Sequence, residues 1–166
     1  PPRAVIYLLA LAGGVAGVFA AIGQYWLRGA TVLLAGPIEE ICKPIGLLLI
    51  IDRRPHWLRS RLEVVLLAVV GAAVFATLEN LLYVHVRFPN LGTDFVVFRY
   101  TACTALHVVC TGLFGVGLSA TWRRIRTRGG RFDVDGCFWW YVAAAAVHTV
   151  YNGVVFVLEM TGVLEF

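Results

Sequence analysis

The chain has 166 residues, of which 60% are hydrophobic and only 14% charged, with a formal net charge of +4; its mean hydropathy is +0.80. Soluble domains carry about 25% charged residues, so this composition excludes an ordinary cytosolic globule, a disordered chain, a collagen-like repeat and a disulfide-stapled secreted module, and marks a membrane protein. The positive residues fall in short segments between apolar runs rather than along one face, which fits lipid headgroups and speaks against a nucleic-acid partner.

Five stretches are long enough to cross a bilayer core of about 30 Å at 1.5 Å per residue: roughly 5 to 27, 30 to 51, 62 to 86, 95 to 122 and 137 to 160. A helix satisfies its own backbone polar groups in lipid, so the expected fold is an all-α, polytopic membrane bundle of about five helices, forming a single domain over residues 1–166. The chain opens Pro1-Pro2 without an initiator Met, so it is expected to be a piece of something longer. The first stretch is too long for a signal-peptide core and is read as a true span, with Gly13 and Gly17 in GxxxG spacing for close helix approach. The second carries Pro37, Glu39, Glu40, Lys43 and Pro44; each proline removes a helix hydrogen bond and tends to kink the span. The third holds Ala72 and Ala76 for packing, then Phe75, Glu79 and Asn80, and the fourth holds His107 between Thr104 and Thr111. The fifth places Ala143 to Ala146 before His148 and Asn152. Cys42, Cys103, Cys110 and Cys137 show no CxxC spacing and read as small buried hydrophobes.

Orientation follows from arginine and lysine, because cytoplasmic loops retain positive charge. Arg3, Arg53, Arg54, Arg59, Arg61, Arg123, Arg124, Arg126, Arg128 and Arg131 fall on one side, against Arg28, Arg87 and Arg99 on the other. The expectation is N-terminus inside and C-terminus outside. Trp26, Trp57, Trp122, Trp139 and Trp140 fall at span ends or in a loop, where amphipathic rings prefer to sit.

An ionisable group at mid-membrane costs roughly 2.5–3.5 kcal/mol unless it is paired or faces water. Glu39, Glu40, Lys43 and Glu79 must therefore converge rather than scatter over lipid-facing surfaces. Depth agrees: counted from the outer boundary, Glu39, Glu40, Glu79, His107 and His148 fall within about 8 Å of one another along the membrane normal. Glu39 and Glu40 stand at i, i+4 and i, i+3 from Lys43, so one ammonium can partner both carboxylates, and His148 and Asn152 share a face. His56 in a basic loop, His85 near a helix end and Arg99, free to snorkel to the headgroups, stay outside this set.

Glu39-Glu40-x-x-Lys43, Phe75-x-x-x-Glu79-Asn80, His107 followed by Thr111-Gly112, and His148-x-x-x-Asn152 resemble, in order, the four motifs of the PrsW family of intramembrane proteases. That family is a distant relative of the CAAX prenyl endopeptidases and the Abi proteins; in the CAAX group a histidine takes the place of Glu79. The resemblance covers roughly residues 30 to 160 and implies endopeptidase activity on membrane-anchored protein substrates, in a bacterial or archaeal plasma membrane.

The chemistry of the residues can be argued beside it. Two imidazoles and a carboxylate suit Zn²⁺ with a position left for water, which makes His107, His148 and Glu79 the expected ligands. One of Glu39 and Glu40 is then the general base, with Lys43 favouring the ionised form of the other, and Asn152 can donate to the developing oxyanion or the substrate backbone. Asn80 and Phe75 are expected to support the site. A metal-free version, in which a glutamate and a histidine activate water directly, is almost as economical. Competing classes are an ion-coupled carrier, for which intramembrane Glu, Lys and His are also typical, and a noncatalytic scaffold that keeps the motifs for stability.

Overall fold

The structure is a computed structural model and describes residues 3–24 and 31–164. Every regular element among them is helical: α1 (Arg3–Gln24), α2 (Thr31–Cys42), α3 (Ile45–Arg53), a 3₁₀ turn (Pro55–Trp57), α4 (Arg61–Leu82), α5 (Thr93–Phe98), α6 (Thr104–Arg128) and α7 (Phe138–Met160). π-helical segments Tyr83–Arg87 and Arg99–Cys103 extend α4 and join α5 to α6. Four stretches are long and apolar enough to cross a membrane: Arg3–Gly23, Arg61–Arg87, Thr93–Arg128 and Phe138–Met160.

The stretch expected as one continuous second span is instead two short helices separated by a turn at Lys43–Pro44. Pro44 has no N–H, so the helical ladder cannot continue through it, and α3 restarts with Leu48 N donating to Pro44 O at 2.9 Å. Pro37, within α2, likewise frees the carbonyl of Leu33, and the Thr149 hydroxyl on α7 reaches that oxygen at 3.5 Å. Tyr141 of α7 donates to the carbonyl of Pro37 at 3.0 Å. The carbonyl that Pro37 releases is thus met by a side chain of a neighbouring helix, as a membrane interior requires.

α4 packs against α6 on one side and α1 on the other, and α7 packs against α2 and α6. Small residues make these approaches possible. A Cβ on Gly13 would lie 2.5 Å from the carbonyl oxygen of Lys43, and one on Gly71 would lie 2.8 Å from the same atom, so the broken turn is clasped between two glycines. Gly14 faces the Gly71 carbonyl, Gly17 faces the Phe75 ring, and Gly46 abuts the backbone of Leu9. Ala72 and Ala76 are buried, while only Ala144 and Ala145 of the alanine run on α7 face inward. The rest of α7 presents Val147, Val150, Val154 and Val157 outward, as a lipid-facing helix does.

The apolar core lies toward α3, the start of α4 and the end of α6, built on Leu47, Ile51, Val64, Leu67, Cys110, Phe114 and Leu118. Ser60 caps α4 by accepting from Glu63 N at 3.1 Å. Trp122, expected at an interface, is buried, and its indole donates to Pro55 O at 2.8 Å. Trp139, by contrast, is 73% exposed at the start of α7. Trp26 and Arg28, used in reading the interface and orientation, lie outside the described residues. The four cysteines are free thiols, three of them buried, as expected of small hydrophobes.

Candidate active site

The polar residues of α2, α4, α6 and α7 meet beside the Lys43–Pro44 turn. The 3.6-residue period of α2 turns Glu39 and Glu40 inward together, and the turn after Cys42 brings the Lys43 ammonium back over both. Its Nζ lies 2.7 Å from Glu40 Oε1, 3.4 Å from Glu39 Oε2 and 2.9 Å from His107 Nδ1, with the face of Phe75 4.3 Å away. Lys43 is fully buried, and Glu40 and Phe75 are equally enclosed.

The two glutamates have different surroundings. Glu40 is saturated: Oε1 takes hydrogen bonds from Lys43 and from His148 Nδ1 at 2.8 Å, and Oε2 accepts from the Thr111 hydroxyl at 2.7 Å. Glu39 Oε2 is buried and has no hydrogen-bond partner among the described residues; nitrogens of Lys43 and His148 stand 3.4 Å and 3.7 Å from it.

These partners assign the histidine tautomers. An ammonium only donates, so His107 Nδ1 accepts from Lys43, and Nε2 of the neutral ring carries the proton and donates to Glu79 Oε2 at 3.0 Å. His148 donates from Nδ1 to Glu40, which leaves its Nε2 as a lone pair 3.7 Å from Glu39 Oε2. The two rings meet edge to face with centroids 5.0 Å apart. A bare lone pair and a carboxylate oxygen facing each other in a buried space repel, and a water, a proton or a cation between them relieves that repulsion.

Donor atoms of Glu39, His107 and His148 all lie within 4.8 Å of one another, the only such group of three among the described residues. The donor-set reading expected Glu79 beside the two histidines, whereas the group of three that lies together contains Glu39. Glu79 is instead held at 2.7 Å by the guanidinium of Arg99, and it orients His107 from behind. The structure therefore brings together Glu39, Glu40, Lys43, Phe75, Glu79, His107 and His148. Asn80 faces away from the cluster: its Nδ2 donates to Arg99 O and to Thr104 Oγ1, both at 3.0 Å, bracing the π-helical segment that carries Arg99. Asn152, one turn beyond His148, is half-buried and makes no hydrogen bond among the described residues.

Arg99 is the residue that the sequence reading misplaced. It is buried rather than snorkelling, and it stacks on Tyr83 at 4.0 Å while pairing with Glu79. A signal was present, since an arginine within an apolar stretch calls for a buried acid, and Glu79 on the preceding helix was available. Thr111, grouped in sequence with His107 in the third motif, serves Glu40 on another helix.

No curated protein and no solved structure matches the chain. A family model described as PrsW family intramembrane metalloprotease matches residues 1–165. The match spans the whole set of helices that build this cluster, and its description implies both a metal and a membrane-embedded protein substrate. This integral membrane protein belongs to the PrsW family of intramembrane metalloproteases and is an intramembrane protease.

Proposed function

We propose that the protein cleaves membrane-anchored substrates with a water activated by Glu39, and that Glu39, His107 and His148 form the donor set for a divalent ion, Zn²⁺ being the ion that two imidazoles and a carboxylate favour. The observation that carries this reading is the buried Glu39 Oε2, which lacks a hydrogen bond and lies 3.7 Å from the His148 lone pair. A bound ion would supply Lewis-acid polarisation of the scissile carbonyl and a more acidic water. Each ligand histidine is backed by its own carboxylate, Glu79 for His107 and Glu40 for His148, which is the support that metal-bound imidazoles usually have.

The protein's own groups divide the remaining work. A water beside the site gives its proton to the Glu39 oxygen that an ion would leave free, as the water's oxygen attacks the carbonyl carbon. Glu39 then returns that proton to the departing amine. Glu40, with every oxygen contact already made, fixes His148 and Lys43 in place and is a positioning residue. Asn152, whose amide is uncommitted, donates to the developing oxyanion or to the substrate backbone. Family membership sets aside the carrier and scaffold alternatives.

A second reading has an observation of its own. Both nitrogens of His107 are engaged, by Lys43 and Glu79. That leaves Glu39 and His148 as a pair able to activate water without a metal.

The test is cleavage of a single-span reporter in liposomes, wild type against Glu39→Gln and His148→Ala. The expected loss is about 10²–10⁴-fold for Glu39→Gln, the usual range for removing a general base. Wild-type cleavage by that variant would refute the assignment. Stripping metal with a chelator and restoring activity with Zn²⁺ supports the metal reading; full activity in the stripped protein leaves the Glu39 and His148 pair. With the N-terminus inside, the site lies in the middle to outer half of the bilayer, so product ends are expected there.

A further inference from the structure

Lys43 is the only lysine in the sequence, and it is fully buried. Its ammonium lies 2.9 Å from His107 Nδ1 and 3.4 Å from Glu39 Oε2, two of the three donors that would hold the divalent ion, and 2.7 Å from Glu40 Oε1, which orients the third. His107 has one lone pair free for either use, because its other nitrogen carries the proton given to Glu79. The same nitrogen cannot accept from Lys43 and coordinate an ion.

We infer that Lys43 is a built-in cation that competes with the ion for its donors, and that metal loading requires its ammonium to leave His107 while keeping Glu40. This rests on the metal reading above. Three carboxylates, Glu39, Glu40 and Glu79, share the enclosure, and among the described residues Lys43 and Arg99 are the cations that contact them there. Arg99 is committed to Glu79 and Tyr83. Without Lys43, Glu39 and Glu40 would repel each other on one helix turn, at a heavy cost in a low-dielectric interior.

The Lys43 ammonium lies 4.3 Å from the Phe75 ring, and its stem packs close to Gly17, where a Cβ would lie 3.3 Å from Lys43 Cγ. Lys43 is therefore a competitor for the ion as well as a support for the two carboxylates.

A single lysine makes the test direct. Full-length protein labelled with ε-¹⁵N-lysine in nanodiscs gives one side-chain ammonium resonance, which is followed during titration with Zn²⁺; Co²⁺ absorption reports metal binding separately. The expected result is a shift of that resonance saturating at one ion per chain, together with Co²⁺ affinity at least about tenfold tighter in Lys43→Met, from loss of the competing charge. Metal bound through the His148 set, as shown by its loss in His148→Ala, with the lysine resonance unmoved overturns the inference. So does a folded Lys43→Met that binds no tighter. If Lys43→Met does not fold, the wild-type resonance decides. An absence of any stoichiometric metal binding in a protein that still cleaves overturns the metal reading itself, and the inference falls with it.

Discussion

The two adjacent glutamates make opposite predictions for stability and catalysis. Glu40 accepts from Lys43, His148 and Thr111, all within 2.8 Å and all in a fully buried setting. In Glu40→Gln the amide oxygen can stay on Lys43 and His148 while the Thr111 hydroxyl turns to accept, so the loss is the charge rather than the hydrogen bonds. Breaking a buried ion pair from one side costs about 3–5 kcal/mol. Glu39, 3.4 Å from Lys43, offsets part of this and places the expected cost near 3 kcal/mol. For a chain of this size that lowers the unfolding midpoint by roughly 6–12 °C. Glu39→Gln removes a carboxylate that has no hydrogen bond and repels its neighbour but pairs with Lys43 at 3.4 Å; the two effects oppose each other, so its expected cost is smaller than that of Glu40→Gln. Thermal unfolding in detergent, followed by tryptophan fluorescence, measures the first quantity, and cleavage of the reporter measures the second. Glu39→Gln should be stable and inactive. Glu40→Gln should be destabilised, with the folded fraction impaired about 10–100-fold through the loosened His148. If Glu39→Gln is the more destabilising of the two, the division into a reactive and a positioning carboxylate is wrong.

Other residues give further tests. Arg99→Met strands the Glu79 charge in a buried setting, for an expected cost of about 3–5 kcal/mol in thermal unfolding. The double variant Arg99→Met/Glu79→Leu should recover most of that stability but not cleavage, since His107 loses its support; no recovery would mean that the pair is not the source of the cost. Thr111→Val removes one hydrogen bond to a carboxylate at nearly constant shape, worth about 1.5–3 kcal/mol in chemical or thermal unfolding. Gly46→Ala places a methyl group against the Leu9 backbone, which cannot yield, so the packing of α3 on α1 should loosen by about 1–3 kcal/mol in the same assay.

Much of this protein is dictated by its linear pattern. Hydropathy requires a membrane bundle, because apolar runs of this length are stable only in lipid, and the cost of ionised groups there requires Glu39, Glu40, Lys43, Glu79, His107 and His148 to meet. Helical spacing places the two glutamates over Lys43 and predicts a kink at the prolines. Spacing along one helix, however, fixes depth and face but not how neighbouring helices rotate about their axes. That rotation gives Glu79 to Arg99 and leaves Glu39 facing the His148 lone pair. It also delivers the Thr111 hydroxyl to Glu40 across 71 positions of sequence. The break after Lys43 was a tendency in the sequence; it became a turn because Gly13 and Gly71 could close on its carbonyl. The different surroundings of the two acids, one fully hydrogen-bonded and one facing a histidine lone pair, were therefore decided by packing between helices, where a side chain's partners come from elements that local pattern cannot orient.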